Sequence, residues 1–443
     1  METIYKLFVS LLFAMLLLNV SCNTTEPTPP NNGTLNISLT DVSCTEAWVN
    51  LKANGVTFPV NVNFLADGST VAQLNNLNSS DTTVYIDSLL PNKTYNIQAI
   101  IQSTNQYQAT NSNKLAVQTL DTTSNNFTWQ TYTFGASNAG SSILYDVAII
   151  NDNDIWAVGE IYMDDSTGQP DPTPYNAVHW DGNTWEIKRI PFLYNGQNFY
   201  GPIYAVFEFS DQDIWFGIGN MIYWNGIQYI PITIPTASWG PNLINKIWGS
   251  SDNDLYIVGN SGSIAHYNGS TWQKIESGTG LNIYDIWGDY NADKTSYEIY
   301  AVASQYGLGN DRRILRITSN NSDSLTTNGA ASIKGIWFKA ADQYYVVGDG
   351  IYRKQDIVNS ADWQKINYGL PQYYIDAVRG NSINDIFMCG DFGEMLHFNG
   401  YSWRSYLNSP NGSEILFSLA IRGNKVVTVG IDNPYAIINI GKR

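Results

Sequence analysis

The sequence predicts an all-β protein in two parts, a short antiparallel sandwich followed by a seven-bladed β-propeller. Three observations carry that expectation. Hydrophobic residues make up 43% of the 443 residues and charged residues only 14%, which supplies cores but few of the long charged side chains that solvate exposed helices. Apolar–polar alternation in short runs is broken throughout by clusters of Asn, Gly, Asp and Ser, the pattern of strands joined by tight turns. The larger part of the chain repeats itself at a spacing of roughly 40–45 residues, the length of one four-stranded blade.

The first residues read as an export signal. Lys6 precedes an apolar run, residues 7–18 (LFVSLLFAMLLL), too short for a comfortable membrane span. Asn19-Val20-Ser21-Cys22 resembles the lipobox of bacterial lipoproteins. That resemblance implies removal of residues 1–21, lipidation of Cys22, and attachment to the outer membrane through the lipid alone. Residues 22–33 continue as a Pro/Thr/Asn-rich tether with nothing to bury.

Residues 34–120 alternate as an antiparallel sandwich does. Within them Leu39-Thr40-Asp41-Val42 through Ala47-Trp48-Val49-Asn50-Leu51 resembles the opening strands of fibronectin type III domains. Leu90-Pro91-Asn92-Lys93-Thr94-Tyr95 resembles that family's tyrosine corner. The resemblance implies a hydrogen bond from the Tyr95 hydroxyl to nearby backbone, and a spacer role.

The repeat unit is clearest over residues 244–275, INKIWGSSDNDLYIVGNSGSIAHYNGSTWQKI. It has an apolar inner strand, an Asn-Asp turn, a second strand ending in Val-Gly, and a third ending in aromatic-Asn-Gly. The second-strand signature recurs at Asp154, Asp213, Asp254, Glu298, Gln343, Asp385 and Lys425. The last unit runs out at Arg443 after three strands, whereas residues 125–130 match the outer strand of the third unit. Residues 125–134 are therefore expected to complete the last blade and protect edges that an open ring would expose. Residues 125–443 resemble secreted bacterial propellers built from I-W-G-S-S-x-N-D-x-Y-x-V-G repeats. Such propellers include hydrolases, lyases, lectins and scaffolds, so the resemblance implies a fold and no activity.

Charge and motifs narrow the function. A net charge of −16 argues against nucleic acid, which needs clustered Lys and Arg. Cys44 and Cys389 each fall in a predicted strand of a different part, so neither a disulfide nor a metal site is expected. His179, His266 and His397 occupy one repeat position, which suits a structural strand residue better than a catalytic one. Asp289-Tyr290-Asn291-Ala292-Asp293 lacks the turn glycine and closing Glu of a calcium loop. No catalytic residue, metal or cofactor is expected. Asp81-Thr82-Thr83, Asp87-Ser88-Leu89, Asp121-Thr122-Thr123, Asp165-Ser166-Thr167 and Asp323-Ser324-Leu325 resemble O-glycosylation acceptors of some Gram-negative bacteria.

Binding residues are expected on the loops joining successive blades. Tyr194, Phe199 and Tyr200 lie in one such link, Trp239 in the next, and Tyr368, Tyr373 and Tyr374 in a later one. Tyr306 and Arg312 flank a loop of the fourth unit. Aromatic faces beside polar groups suit sugar rings. The expectation is a monomeric, non-enzymatic surface protein that binds a glycan or a surface or matrix protein. The alternatives are a propeller glycoside hydrolase or polysaccharide lyase, using Asp164, Asp165, Asp171 or Glu394, and a structural subunit of an envelope complex.

Overall fold

The computed structural model describes residues 33–102, 109–194, 196–305, 311–366, 369–406 and 412–443. The signal segment, Cys22 and the tether lie outside the described residues, as do Tyr306 and Tyr368. The chain divides into one unit up to Leu120 and another from Asp121.

In the first unit, Thr34–Val42, Ala47–Asn54 and Asp81–Ile86 form a three-stranded antiparallel sheet. Val60–Ala66, Ser69–Leu77, Thr94–Ile101, Thr110–Asn111 and Leu115–Gln118 form a second sheet. Alternate residues point inward, as in Thr94–Ile101, where Tyr95, Ile97, Ala99 and Ile101 are buried. They meet Val49, Leu51, Val62 and Phe64 in one core. The Tyr95 hydroxyl accepts the Leu90 amide at 2.9 Å. Cys44 is buried, but in a bend between strands rather than in a strand. The reason is local: the Ser43 hydroxyl accepts the Thr45 and Glu46 amides, turning the chain there.

The second unit contains seven four-stranded antiparallel sheets among the described residues. Their first strands are Ile143–Asn151, Ala205–Ser210, Ile244–Ser251, Asn282–Asn291, Ile333–Lys339, Ile375–Ser382 and Ile415–Arg422. Each first strand lies beside those of the sheets before and after it, and the seventh lies beside the first. The sheets therefore close a ring around a central channel. Sheet-to-sheet cores fill the space between them; Val427, Val429 and Ile438 of the seventh sheet pack with Leu144, Ile155 and Val178 of the first. Second strands such as Gln343–Gly348 and Asp385–Gly390 are buried at every position, which explains their unbroken apolar runs. The outer strand of the seventh sheet is Thr128–Phe134, paired antiparallel with Tyr435–Lys442.

The repeated polar residues are spent on the fold. The aromatic-Asn-Gly marks are turns: the Asn268 side-chain Oδ1 accepts the Ser270 and Thr271 amides, and Gly269 takes a positive φ of 86°. Each histidine bonds the acid that opens the preceding strand. His179 lies 2.9 Å from Asp154, His266 2.7 Å from Asp254 and His397 2.8 Å from Asp385. Each imidazole also stacks on the aromatic ring two residues after that acid, Trp156, Tyr256 or Phe387. Cys389 is buried in its strand, where burial pushes its thiol up to about 12. Asp289 turns to the next sheet and accepts Lys339 Nζ at 3.0 Å and the Ala340 amide at 2.9 Å.

Candidate functional site

The Val-Gly mark of the repeat builds the channel mouth. Gly159, Gly259, Gly348, Gly390 and Gly430 sit near the ends of second strands. A Cβ at any of them would lie 1.8–2.0 Å from a carbonyl oxygen at the start of the neighbouring first strand. Only glycine permits so close an approach. Each pairs with the residue just before a β-bulge: Leu144, Ile244, Ile333, Ile375 or Leu416. The fourth sheet carries the same bulge after Ile283. A bulge adds one residue to the strand and re-aims its side chains, and two successive residues then face the channel instead of one.

The bulges line a cavity of about 240 Å³. Tyr145, Asn245, Tyr284, Lys334, Asp376 and Phe417 are the inserted residues of six sheets, and Tyr204 is the corresponding residue of the second. Tyr145 and Tyr204 have ring centroids 4.9 Å apart, and Tyr145 and Phe417 6.2 Å. Lys334 Nζ lies 5.8 Å from the Tyr284 centroid and 5.6 Å from that of Phe417. Burial, then the neighbouring Tyr204 and Glu160, push the Tyr145 phenol up to about 12. Burial also raises Tyr204, so both stay protonated at ordinary pH.

Deeper in the channel, charged groups form a belt. Asp146 accepts Lys246 Nζ at 2.5 Å, the Ser418 hydroxyl at 2.7 Å, and the amides of Val147 and Val206 at 3.0 and 3.1 Å. Asp285 takes both Arg379 nitrogens, at 2.6 and 2.8 Å, and the Ile286 and Ile336 amides at 3.0 Å. Burial opposes the Arg379 charge, but the Asp285 carboxylate holds its pKa above the usual value. Lys334 pairs with Asp376. A second cavity of about 250 Å³ shares Lys246 and Arg379 with the first, so the belt lines both. In that second cavity burial pushes Glu208 up to about 7, with Arg422 4.0 Å away.

The residues singled out from the sequence are spread over the outer links and are not brought to one place. Phe199 is 55% exposed on a small hairpin, Phe192–Tyr194 with Gln197–Phe199, where its ring meets Phe192 edge-on. Tyr194 belongs to the same hairpin and Tyr200 follows it, partly buried. Trp239 is buried at 5% exposure, and its indole nitrogen donates to the Asn242 carbonyl at 2.7 Å. It packs over Gly259 and also lines a cavity of about 370 Å³ with Asn242, Ser261 and Lys274, apart from the residues of the channel. Tyr373 lies against the exposed ring of Phe392, and the Tyr374 hydroxyl bonds Ser332 at 3.0 Å. Arg312 opens the third strand of the fourth sheet.

Three of the four loop carboxylates are engaged by hydrogen bonds. Asp171 accepts Arg189 at 2.5 Å, and the Thr173 amide together with Arg189 holds its pKa below the usual range. Asp165 closes its own turn onto Thr167 and Gln169. Asp164 pairs with Pro170 through its backbone, and its carboxylate keeps one buried oxygen with no hydrogen-bond partner among the described residues. Glu394 is sealed at 0% exposure, accepting the Gln372 amide and the Ser405 hydroxyl.

No protein-family model and no curated protein matches the chain. Solved structures do. YCF48 bound to a D1 peptide aligns at 15% identity over 71% of this chain and 97% of that one, with a TM-score of 0.52. YCF48 from Cyanidioschyzon merolae aligns at 18% identity over 70% and 98%, also at 0.52. The WD40 propeller domain of Doa1 aligns at 11% identity over 72% and 98%, with a TM-score of 0.49. The second unit has a β-propeller-like fold. At these identities the likeness speaks to the propeller's architecture alone.

The sequence reading missed the mouth residues, although their signal was present. Each unit opens on two apolar residues separated by two variable ones: Leu144-Tyr-Asp-Val147, Ile203-Tyr-Ala-Val206, Ile244-Asn-Lys-Ile247, Ile283-Tyr-Asp-Ile286, Ile333-Lys-Gly-Ile336, Ile375-Asp-Ala-Val378 and Leu416-Phe-Ser-Leu419. Alternation alone assigns one of the two middle residues to the core; in six sheets the bulge instead turns the first of them to the channel.

Proposed function

We propose that this chain is an exported lipoprotein, held at the outer membrane by lipidated Cys22, whose fibronectin type III-like domain spaces a seven-bladed propeller from the surface. The propeller is a non-enzymatic binding module that engages a glycan or a surface protein at its channel mouth. One observation carries this reading: seven equivalent positions face a single cavity and hold five residue types, three tyrosines with an Asn, a Lys, an Asp and a Phe. A stability role would favour one residue type at all seven. The channel carboxylates Asp146 and Asp285 are occupied by cations and backbone amides, an arrangement for rigidity rather than for proton transfer. The Leu90–Tyr95 hydrogen bond supports the fibronectin type III-like assignment. YCF48, a propeller of similar fold, has been solved with a D1 peptide bound, which makes a protein segment a reasonable partner class here.

The test places the full-length chain on glycan and peptide arrays beside a Tyr284→Ala/Phe417→Ala variant. Binding that the variant loses supports the reading, and binding that it retains overturns it. Cys22→Ser should release the chain from membranes into the soluble fraction; retention would remove the lipid anchor from the account.

A further inference from the structure

We propose that the channel mouth is a dead-end subsite for one neutral saccharide unit, gripped by the hydroxyls and ring faces of Tyr145, Tyr204 and Tyr284. This rests on reading the mouth as the propeller's binding face, and adds what that face takes. Depth comes first. Lys246 and Arg379, fixed by Asp146 and Asp285, line the floor of this cavity and also the next one, so charged side chains narrow the channel below the mouth. A ligand therefore enters end-on, and about 240 Å³ admits a single ring rather than a threaded chain.

Charge comes second. Asp146, Asp285 and Asp376 are matched by Lys246, Arg379 and Lys334 in three ion pairs. A lining without net charge does not favour a free carboxylate or ammonium, which is what a peptide terminus would bring. It does favour a neutral group rich in both donors and acceptors.

Hydroxyl chemistry comes third. The phenols of Tyr145, Tyr204 and Tyr284 line the cavity and make no hydrogen bond to protein among the described residues. Each remains a donor and an acceptor. Their rings, with Phe417, present apolar surface beside those hydroxyls. A pyranose has the complementary pattern, C–H faces edged by hydroxyls that both give and take. Asp376 adds one buried oxygen with no donor, the unfinished part of the belt.

The experiment uses the full-length chain on an array of neutral, acidic and amino-sugar oligosaccharides and, in parallel, on a peptide array. Free glucose, galactose, mannose and fucose serve as competitors. The comparison variant is Tyr145→Phe/Tyr284→Phe, which keeps both rings and removes only the hydroxyls; circular dichroism verifies its fold. Expected is binding to neutral oligosaccharides that one free monosaccharide displaces. It should barely change between about 50 and 500 mM salt, where charge-driven binding is screened, and should weaken at least tenfold in the variant. Mouth-dependent binding confined to peptides or to acidic glycans overturns the saccharide assignment and leaves the binding face standing. Array binding that ignores Tyr284→Ala/Phe417→Ala, or no binding on either array, overturns both.

Discussion

Two sets of equivalent positions in the propeller behave in opposite ways. At the head of the second strand and in the third, the same chemistry returns from sheet to sheet: Asp154 with His179, Asp254 with His266, Asp385 with His397. At the mouth position of the first strand tyrosine returns in three sheets, but the other four hold residues of different chemistry: Tyr145, Tyr204 and Tyr284 beside Asn245, Lys334, Asp376 and Phe417. In a repeat protein every sheet must solve the same packing problem, so residues that recur answer it. Residues that differ on an identical backbone are released from that problem and are available for recognition.

The sharpest way to break this comparison is at Asp385. Its carboxylate holds His397, the Asn381 amide and both terminal nitrogens of Arg443, the last at 2.9 and 2.5 Å. Arg443 also reaches the Ser124 carbonyl, tying the last sheets to the segment that completes the ring. Asp385→Ala strands buried cationic and polar partners and should cost about 3–5 kcal/mol, read by urea unfolding. A neutral result would mean the recurring acid is dispensable.

Gly390→Ala comes next. Its Cβ would meet the Tyr374 carbonyl at 2.0 Å, so the bulge that presents Asp376 must shift, at a cost of about 3 kcal/mol. Gly278→Ala is the control for the added methyl: nothing lies within 4 Å of its Cβ, though its φ of +68° brings a backbone penalty of its own. A Gly390→Ala loss no larger than the control's would remove glycine as the cause of the bulge.

Acid should act on the recurring set. Burial lowers His397 below its ordinary 6.5 despite the Asp385 bond, so the unfolded chain takes up that proton first. The stability it contributes is complete above pH 6.5 and drains away as the pH falls below it. Asp254 is held below the usual carboxylate range by His266, and its contribution is present above about pH 4 and lost on further acidification. Thermal unfolding between pH 8 and 3 should show both declines. The first should vanish in His397→Gln.

How much of this was legible in advance follows the same division. Strand order, turns and the strand that completes the seventh sheet could be read because they recur; residues 125–130 betrayed themselves by matching residues 268–273. Cys44 was placed in a strand because its apolar neighbours alternate, and only the Ser43 hydroxyl's capture of two amides makes the bend. Trp239 stands out in the sequence as a lone aromatic in a long link, and the link says nothing of how far the ring is buried. Burial over Gly259 depends on the neighbouring sheet, which no local pattern contains. The mouth escaped for a related reason: a bulge is a property of paired strands, and the glycine responsible sits about 15 residues away on the partner strand.

The smallest stability effect is expected at the mouth itself, and there the central claim is most directly tested. Tyr284→Ala/Phe417→Ala removes two rings that line the cavity without entering the buried cores between sheets. Its Tm and its affinity for an array-selected ligand should be measured together. The account predicts a Tm within about 5 °C of the parent and binding weakened at least tenfold. A collapsed Tm, or full binding in a folded variant, would show that the mouth positions serve the fold after all.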